Sequence, residues 1–110
     1  MILRLWRGWT APENSAAYEQ LLTGTIAPAI VDRGVPGLLD LSVLRRHPEE
    51  LDPAVGAEIL TAMTFDDMAA VAAFTGGDAR TSVVPPAARA LLARFDQHSA
   101  HYTSVARFTR

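Results

Sequence analysis

The sequence contains no cysteine and no lysine, and these two absences exclude several kinds of chemistry. Without cysteine there are no disulfides, no thiolate nucleophile and no iron–sulfur cluster. All ten basic residues are arginines, so neither a Schiff-base lysine nor the lysine of a phosphate-binding loop is available. Long uncharged runs are also missing, since the longest extends only from Gln20 to Val31 and contains Pro28. No membrane-spanning segment is therefore predicted.

The 110 residues have an ordinary globular composition, with 49% hydrophobic and 20% charged residues. This length and composition predict one domain over residues 1–110 rather than a disordered chain. The net charge of -2 argues against a surface that neutralises phosphates, so nucleic acid is not expected as a partner. Arg4 and Arg7 interrupt the apolar start, so no signal-peptide core is predicted and the expected location is cytoplasmic.

The spacing of apolar residues predicts strands over 2–9, 37–46, 57–65 and 97–105. A capping box formed by Thr10 and Glu13 is expected to start the first helix, which Pro28 should kink near Gly24. Two further helices are predicted, one capped by Asp66 over 67–75 and one over 87–95. The resulting order, β-α-β-β-α-(α)-β, predicts an α+β ferredoxin-like sandwich with an antiparallel sheet.

Apolar residues lie on both faces of the predicted strands. The first strand carries Ile2 and Trp6 on one face and Leu3 and Leu5 on the other. In the second strand Leu38 and Leu44 fall on one face, opposite a face with leucine and valine. Helices cover only one face of a ferredoxin-like sheet, and a second copy of the chain is the simplest cover for the other. A homodimer with an interface above about 1,200 Å² in total is therefore predicted.

Short motifs along nearly the whole chain have a family resemblance. They are Trp6-Arg7-Gly8-Trp9, Gly34-Val-Pro-Gly37, Thr64-Phe65-Asp66 with Ala73-Phe74, Val83-Val-Pro-Pro-Ala-Ala-Arg89, and His101-Tyr102. With these motifs the sequence resembles the antibiotic biosynthesis monooxygenase-like members of the dimeric α+β barrel superfamily. The resemblance implies two ferredoxin-like sheets paired as a barrel, with a pocket between sheet and helices. Some members oxygenate aromatic polyketides without metal or flavin, so no cofactor is predicted, and others degrade haem.

Two hypotheses for the function follow from this resemblance. In the first, the protein is a small cofactor-independent monooxygenase that acts on an aromatic or polyketide-type molecule. In the second, it is a non-catalytic ligand-binding or accessory homodimer for haem or another flat hydrophobic ligand. Oxygenases of the family tend to carry an Asn on the first strand, a Trp near the end of the third and a His on the following helix. This sequence has none of them at those places, which favours the second hypothesis.

Four residues are candidates for a site between the sheet and the first helix. Trp6 offers a flat platform for an aromatic ligand, and Arg4 on the same strand face can bind an acidic oxygen. His101 and Tyr102 are the candidate proton-transfer residues, but neighbours on a strand face opposite sides, so at most one can enter the pocket. The mouth of the pocket is expected near Gly24 and Pro28.

Structural interpretations of the same residues remain open. Arg4 and Arg7 lie on opposite strand faces and are candidates for ion pairs with Asp40 or Glu58. His101 is also a candidate structural histidine that is held by hydrogen bonds. His98 and His101 fall on opposite faces of the last predicted strand, so no metal site is expected.

Overall fold

The computed structural model describes residues 1–110, which fold into one antiparallel sheet and short helices. The strands are β1 (Ile2–Thr10), β2 (Leu38–Arg45), β3 (Ala57–Phe65), β4 (Arg94–Phe95) and β5 (Ala100–Thr103). The α-helices are α1 (Ser15–Leu21), α2 (Ala27–Asp32), α3 (Met68–Thr75) and α4 (Pro86–Arg89). A π-helical turn covers Leu22–Ile26, and 3-10 turns cover Pro12–Asn14 and Pro48–Glu50. None of the helices has the length and apolar character needed to cross a membrane.

The strand order is β2-β3-β1-β4, and β5 also pairs with β1. This antiparallel arrangement confirms the predicted ferredoxin-like α+β sandwich. The predicted bounds of the third strand are those of β3, and the first two predicted strands differ from β1 and β2 by one residue at an end. Strong alternation in long strands explains this agreement.

The C-terminal third differs most from its prediction. The helix predicted over 87–95 ends at Arg89, and Arg94 and Phe95 instead pair with Trp9 and Gly8 of β1. The last strand is shorter than predicted, because only Ala100–Thr103 pairs with β1. Pairing with β1 satisfies backbone groups in both segments, and this long-range gain overrides local helix propensity.

Both predicted helix caps are wrong in detail. Thr10 belongs to β1, and its hydroxyl is 2.9 Å from the hydroxyl of Ser15 rather than at a helix N-terminus. Asp67, not Asp66, caps α3, because its side chain accepts a hydrogen bond of 2.9 Å from the amide of Ala70. Adjacent acidic residues are equally good caps by composition, so only the local backbone distinguishes them.

The predicted kink of the first helix takes the form of the π-helical turn. The amide of Ala27 donates to the carbonyl of Leu22, five residues earlier, just before Pro28. Proline has no amide hydrogen to donate to the carbonyl of Gly24, so the α-helical pattern cannot continue through this point. The chain therefore widens into one π turn and resumes as α2.

The helices pack on one face of the sheet, and the core lies between them. One buried cluster joins the strand ends to α3 and consists of Ile2, Met63, Phe65, Ala70, Val71 and Phe74. A second cluster lies under α1 and α4 and consists of Tyr18, Leu22, Ala57, Ile59 and Ala88. The rings of Phe65 and Phe74 are 5.9 Å apart and tilted by 48°.

The opposite side of the sheet, here called the open face, carries no helix. Its apolar side chains are half-buried or exposed and include Leu3, Leu5, Leu44, Leu60 and Tyr102. A register irregularity between Leu38 and Asp40 places Leu38 against the core, so the predicted shared face for Leu38 and Leu44 is wrong. The predicted separation of Ile2 and Trp6 from Leu3 and Leu5 is confirmed.

A first prediction concerns the turn that leads into β2. Gly37 has a φ of 84°, and a Cβ added there would lie 2.6 Å from the Cβ of Ala70. Gly34 has a φ of 64° but nothing within 4 Å of an added Cβ. We expect Gly34→Ala to lower the free energy of unfolding by about 1 kcal/mol and Gly37→Ala by about 2 to 3 kcal/mol. Urea denaturation of both variants measures this difference, and equal losses would contradict the close approach of Gly37 to α3.

Candidate functional site

A cavity of about 50 Å³ lies between the helix side of the sheet and the first helical segment. Its sheet wall comes from β1 and β3, namely Arg4, Trp6, Thr61 and Met63. Its helical wall comes from Leu22, Ile26 and Ile30, which recur every four residues along one side. Phe74, Val83 and Ser99 close the remaining sides. Seven of these ten lining residues are hydrophobic, so the polar groups in the wall are few and specific.

Alternation along two strands brings the sheet residues together. Arg4 pairs with Met63, and Trp6 pairs with Thr61 across β1 and β3. The predicted position of the cavity, between sheet and first helix, agrees with this arrangement. Gly24 is exposed on the other side of the helical segment and does not line the cavity, and the same is true of Pro28. The mouth predicted at these two residues is therefore wrong.

Arg4 is buried in the cavity wall with only 3% of its surface exposed. Its guanidinium donates to the backbone carbonyls of Ala79 and, at 2.8 Å, Thr81. None of the ion pairs in the molecule involves Arg4, so the ion pair with Asp40 or Glu58 considered for it does not form. Burial lowers the pKa of Arg4 to about 10, so the guanidinium remains charged at neutral pH.

His101 lies beside Arg4, because the two residues are paired between β1 and β5. A guanidinium nitrogen of Arg4 is 3.0 Å from Nε2 of His101. Arginine only donates hydrogen bonds, so Nε2 is the acceptor and the imidazole proton is on Nδ1. Burial, and then the positive charge of Arg4, lower the pKa of His101 below its ordinary value. His101 is therefore neutral at physiological pH, and its Nε2 lone pair is already used.

Trp6 is half-buried, and its indole is fixed at the polar end. The indole N–H lies 2.8 Å from the carbonyl of Asp96 and 3.0 Å from the hydroxyl of Ser82. Its ring is 5.8 Å from the ring of Phe95 in β4. The indole is thus held by residues far away in sequence and presents part of its apolar surface to the cavity.

Tyr102 lies on the open face and is 58% exposed, away from the other three candidate residues. Trp9 also lies on the open face, with the guanidinium of Arg94 3.9 Å from its ring centre. Arg7, on the same face, pairs with Asp96 at 2.9 Å rather than with Asp40 or Glu58. The structure thus brings Arg4, Trp6 and His101 together and separates Tyr102 from them.

Ser99 is a polar residue of the cavity that the sequence reasoning did not select. It is 5% exposed, and its hydroxyl oxygen has no hydrogen-bond partner in the protein. Strand alternation already placed Ser99 on the same face as His101, which is the only signal for it in the sequence. No group of three or more histidine, aspartate or glutamate side chains is arranged to hold a metal ion.

A second, larger space lies at the edge of the open face. It has a volume of about 680 Å³ and is bounded by Leu3, Tyr102 and the residues that follow β5. Val105 and Phe108 in this last segment are 94% and 92% exposed. Apolar side chains with so little contact in one chain are typical of segments that pack on another.

Solved structures provide the comparison that bears on this arrangement. A Bacillus cereus protein, named as a candidate antibiotic biosynthesis monooxygenase, superposes with a TM-score of 0.67 at 15% identity. The alignment covers 99% of this chain and 95% of that one. The fold is that of the antibiotic biosynthesis monooxygenase-like proteins. The resemblance stated from the sequence motifs is confirmed at this level.

A second solved structure supports the same conclusion about the fold. Rv0793 from Mycobacterium tuberculosis superposes with a TM-score of 0.62 at 16% identity and with 98% coverage of both chains. Comparisons with protein-family profiles and with curated proteins find no match. With identities this low, the likeness concerns the backbone fold, and function has to be argued from the side chains of the cavity.

Proposed function

We propose that this protein binds a flat apolar molecule of aromatic or polyketide type between its sheet and its first helix. The observation that carries the proposal is the cavity itself, in which mostly apolar walls surround one buried guanidinium. Few convergent polar groups in an apolar cavity are the usual composition of a small-molecule site. Trp6 contributes the aromatic surface, and Arg4 contributes the charge.

The cavity must enlarge to take such a ligand. Its volume of about 50 Å³ holds only about one or two water molecules, whereas a benzene ring needs a cavity of about 150 Å³. The wall formed by Leu22, Ile26 and Ile30 is the one that can move outward, because it lies on the helical segment interrupted by the π turn. The sheet wall is fixed by hydrogen bonds along β1 and β3.

Cofactor-independent oxygenation of the bound molecule is the activity that the likeness to monooxygenase-like folds favours. Such a reaction needs a group that removes a proton from the substrate and charges that stabilise the resulting anion. His101 is the candidate for the first task and Arg4 for the second. Tyr102 lies on the open face, so we expect Tyr102→Phe to leave any turnover in this cavity unchanged.

A non-catalytic accessory role is the second candidate function, and the contact between Arg4 and His101 favours it. Nε2 of His101 accepts a hydrogen bond from Arg4, so no base is available in the cavity until that bond breaks. Haem does not fit this site, because the same nitrogen would have to bind its iron and the cavity is far too small. The accessory role therefore concerns another flat hydrophobic ligand.

We propose that residues 1–110 form one domain and that two copies associate through the open face as a homodimer. Both core clusters pack on the same sheet, which supports a single domain. The open face exposes a row of leucines that a second sheet would cover. The segment after Thr103, with Val105 and Phe108, has no apolar contacts within one chain and would pack on the partner.

A thermal-shift screen of polycyclic phenols tests the ligand proposal. A ligand at about one hundred times its Kd should stabilise the fold by roughly 2.7 kcal/mol, which is easily measured as a higher Tm. Trp6→Phe keeps most of the apolar surface but removes the indole, and we expect it to weaken binding more than it lowers stability. Trp9→Phe is the matched control on the open face and should leave binding unchanged. A shift that is identical for all three proteins would contradict a site at Trp6.

A further inference from the structure

We infer that the cavity between sheet and first helix recognises the oxygen anion of an apolar organic acid, through the Arg4 guanidinium and the Ser99 hydroxyl. This inference rests on the proposed ligand site and specifies its chemical class. The shared chemistry is a carboxylate or an ionised phenol attached to an apolar body. The argument depends on two polar groups whose bonding the protein leaves incomplete.

The first group is the guanidinium of Arg4, which is buried without a counter-charge. No Asp or Glu side chain forms an ion pair with it, and its protein partners are two carbonyls and a neutral imidazole. These contacts use three of the five N–H groups that a guanidinium carries. A buried positive charge that is solvated only by neutral groups creates a favourable site for an anion.

The second group is the hydroxyl of Ser99, which lines the same cavity and has no partner in the protein. A buried hydroxyl without a hydrogen bond costs about 1 to 3 kcal/mol, so a ligand that accepts from it recovers this energy. Arg4 and Ser99 are both donors, and both line one cavity. Two donors with no acceptor favour an anionic oxygen over an amide or an ammonium group.

The remaining walls define the rest of the ligand. Leu22, Ile26, Ile30 and Val83 are apolar and come from the helical side and the loop. Phe74 lies under the guanidinium of Arg4, 5.5 Å from ring centre to the guanidinium carbon, and limits that end of the cavity. The acid group therefore faces the sheet at Arg4, and the apolar body extends toward the helical wall.

Calorimetric titration of the full chain with matched probes tests this inference. We use 2-naphthoic acid against 2-naphthamide, and 4-nitrophenol ionised at alkaline pH against 4-nitroanisole, to separate carboxylate from phenolate. The anionic probe of at least one pair is expected to bind about tenfold or more tightly than its neutral partner. Ser99→Ala should weaken that anion about tenfold, leave the neutral probe unchanged and keep or raise the stability of the free protein.

Arg4→Lys provides the second variant, because it retains the charge but loses the planar arrangement of donors. We expect it to bind the anionic probe less tightly than the unmodified protein. Neutral probes that bind as tightly as their anionic partners would overturn the inference and leave the proposed apolar ligand site standing. If none of the four probes binds, the proposed ligand site fails together with the inference.

Discussion

Ala62→Arg is expected to dissociate the proposed homodimer, with a rise in its dissociation constant of about a thousandfold or more. Ala62 is on the central strand β3 and is paired with Leu5 on one side and Ser42 on the other. Its side chain points to the open face, where the partner's sheet would cover it. An unpaired guanidinium buried in that interface costs several kcal/mol, and about 4 kcal/mol corresponds to a thousandfold weaker association.

Light scattering at micromolar concentration measures this effect. Ala17→Arg is the matched control, because Ala17 is exposed on α1 and the same change of charge there should leave the dimer intact. Circular dichroism should show the same fold for both variants. If the unmodified protein already scatters as a monomer, the homodimer proposal is wrong and the open face has another partner.

The sequence was sufficient to predict those parts of the fold that depend on local alternation. The bounds of β3 and the opposite faces of Trp6 and Trp9 follow from a period of two over nine-residue strands. The pairing of Arg94 and Phe95 with β1 could not be predicted in this way. Two residues have no period, and their pairing depends on where the chain returns after α4.

The same distinction separates the predicted from the unpredicted parts of the site. Strand alternation placed Arg4 with Trp6 and kept His101 apart from Tyr102, and the structure has this arrangement. It could not show that Arg4 would bond to carbonyls of the loop at 79–81. Asp96 is close to Arg7 only because the chain after α4 returns to β1, so spacing along the sequence gave no indication of that ion pair.

Arg4→Met is expected to lower the free energy of unfolding by about 4 kcal/mol, a large share of the roughly 5 to 15 kcal/mol of a typical domain. Methionine has a similar length but no donors, so the carbonyls of Ala79 and Thr81 and Nε2 of His101 each lose a hydrogen bond. Hydrogen bonds to charged groups contribute about 1.5 to 3 kcal/mol each. The removal of a buried charge recovers part of that loss, since burial also opposes the charged form of Arg4.

Urea denaturation at a fixed protein concentration measures this loss, because dimer formation makes stability depend on concentration. Arg4→Lys keeps one charged donor and should lose about half as much free energy. Ser99→Ala is the comparison within the same cavity and should have the opposite sign or none, because its hydroxyl has no partner to lose. If Arg4→Met is as stable as the unmodified protein, the three hydrogen bonds only offset the cost of burying the guanidinium. Its retention in the cavity would then depend on what it binds, because it would contribute nothing to the fold.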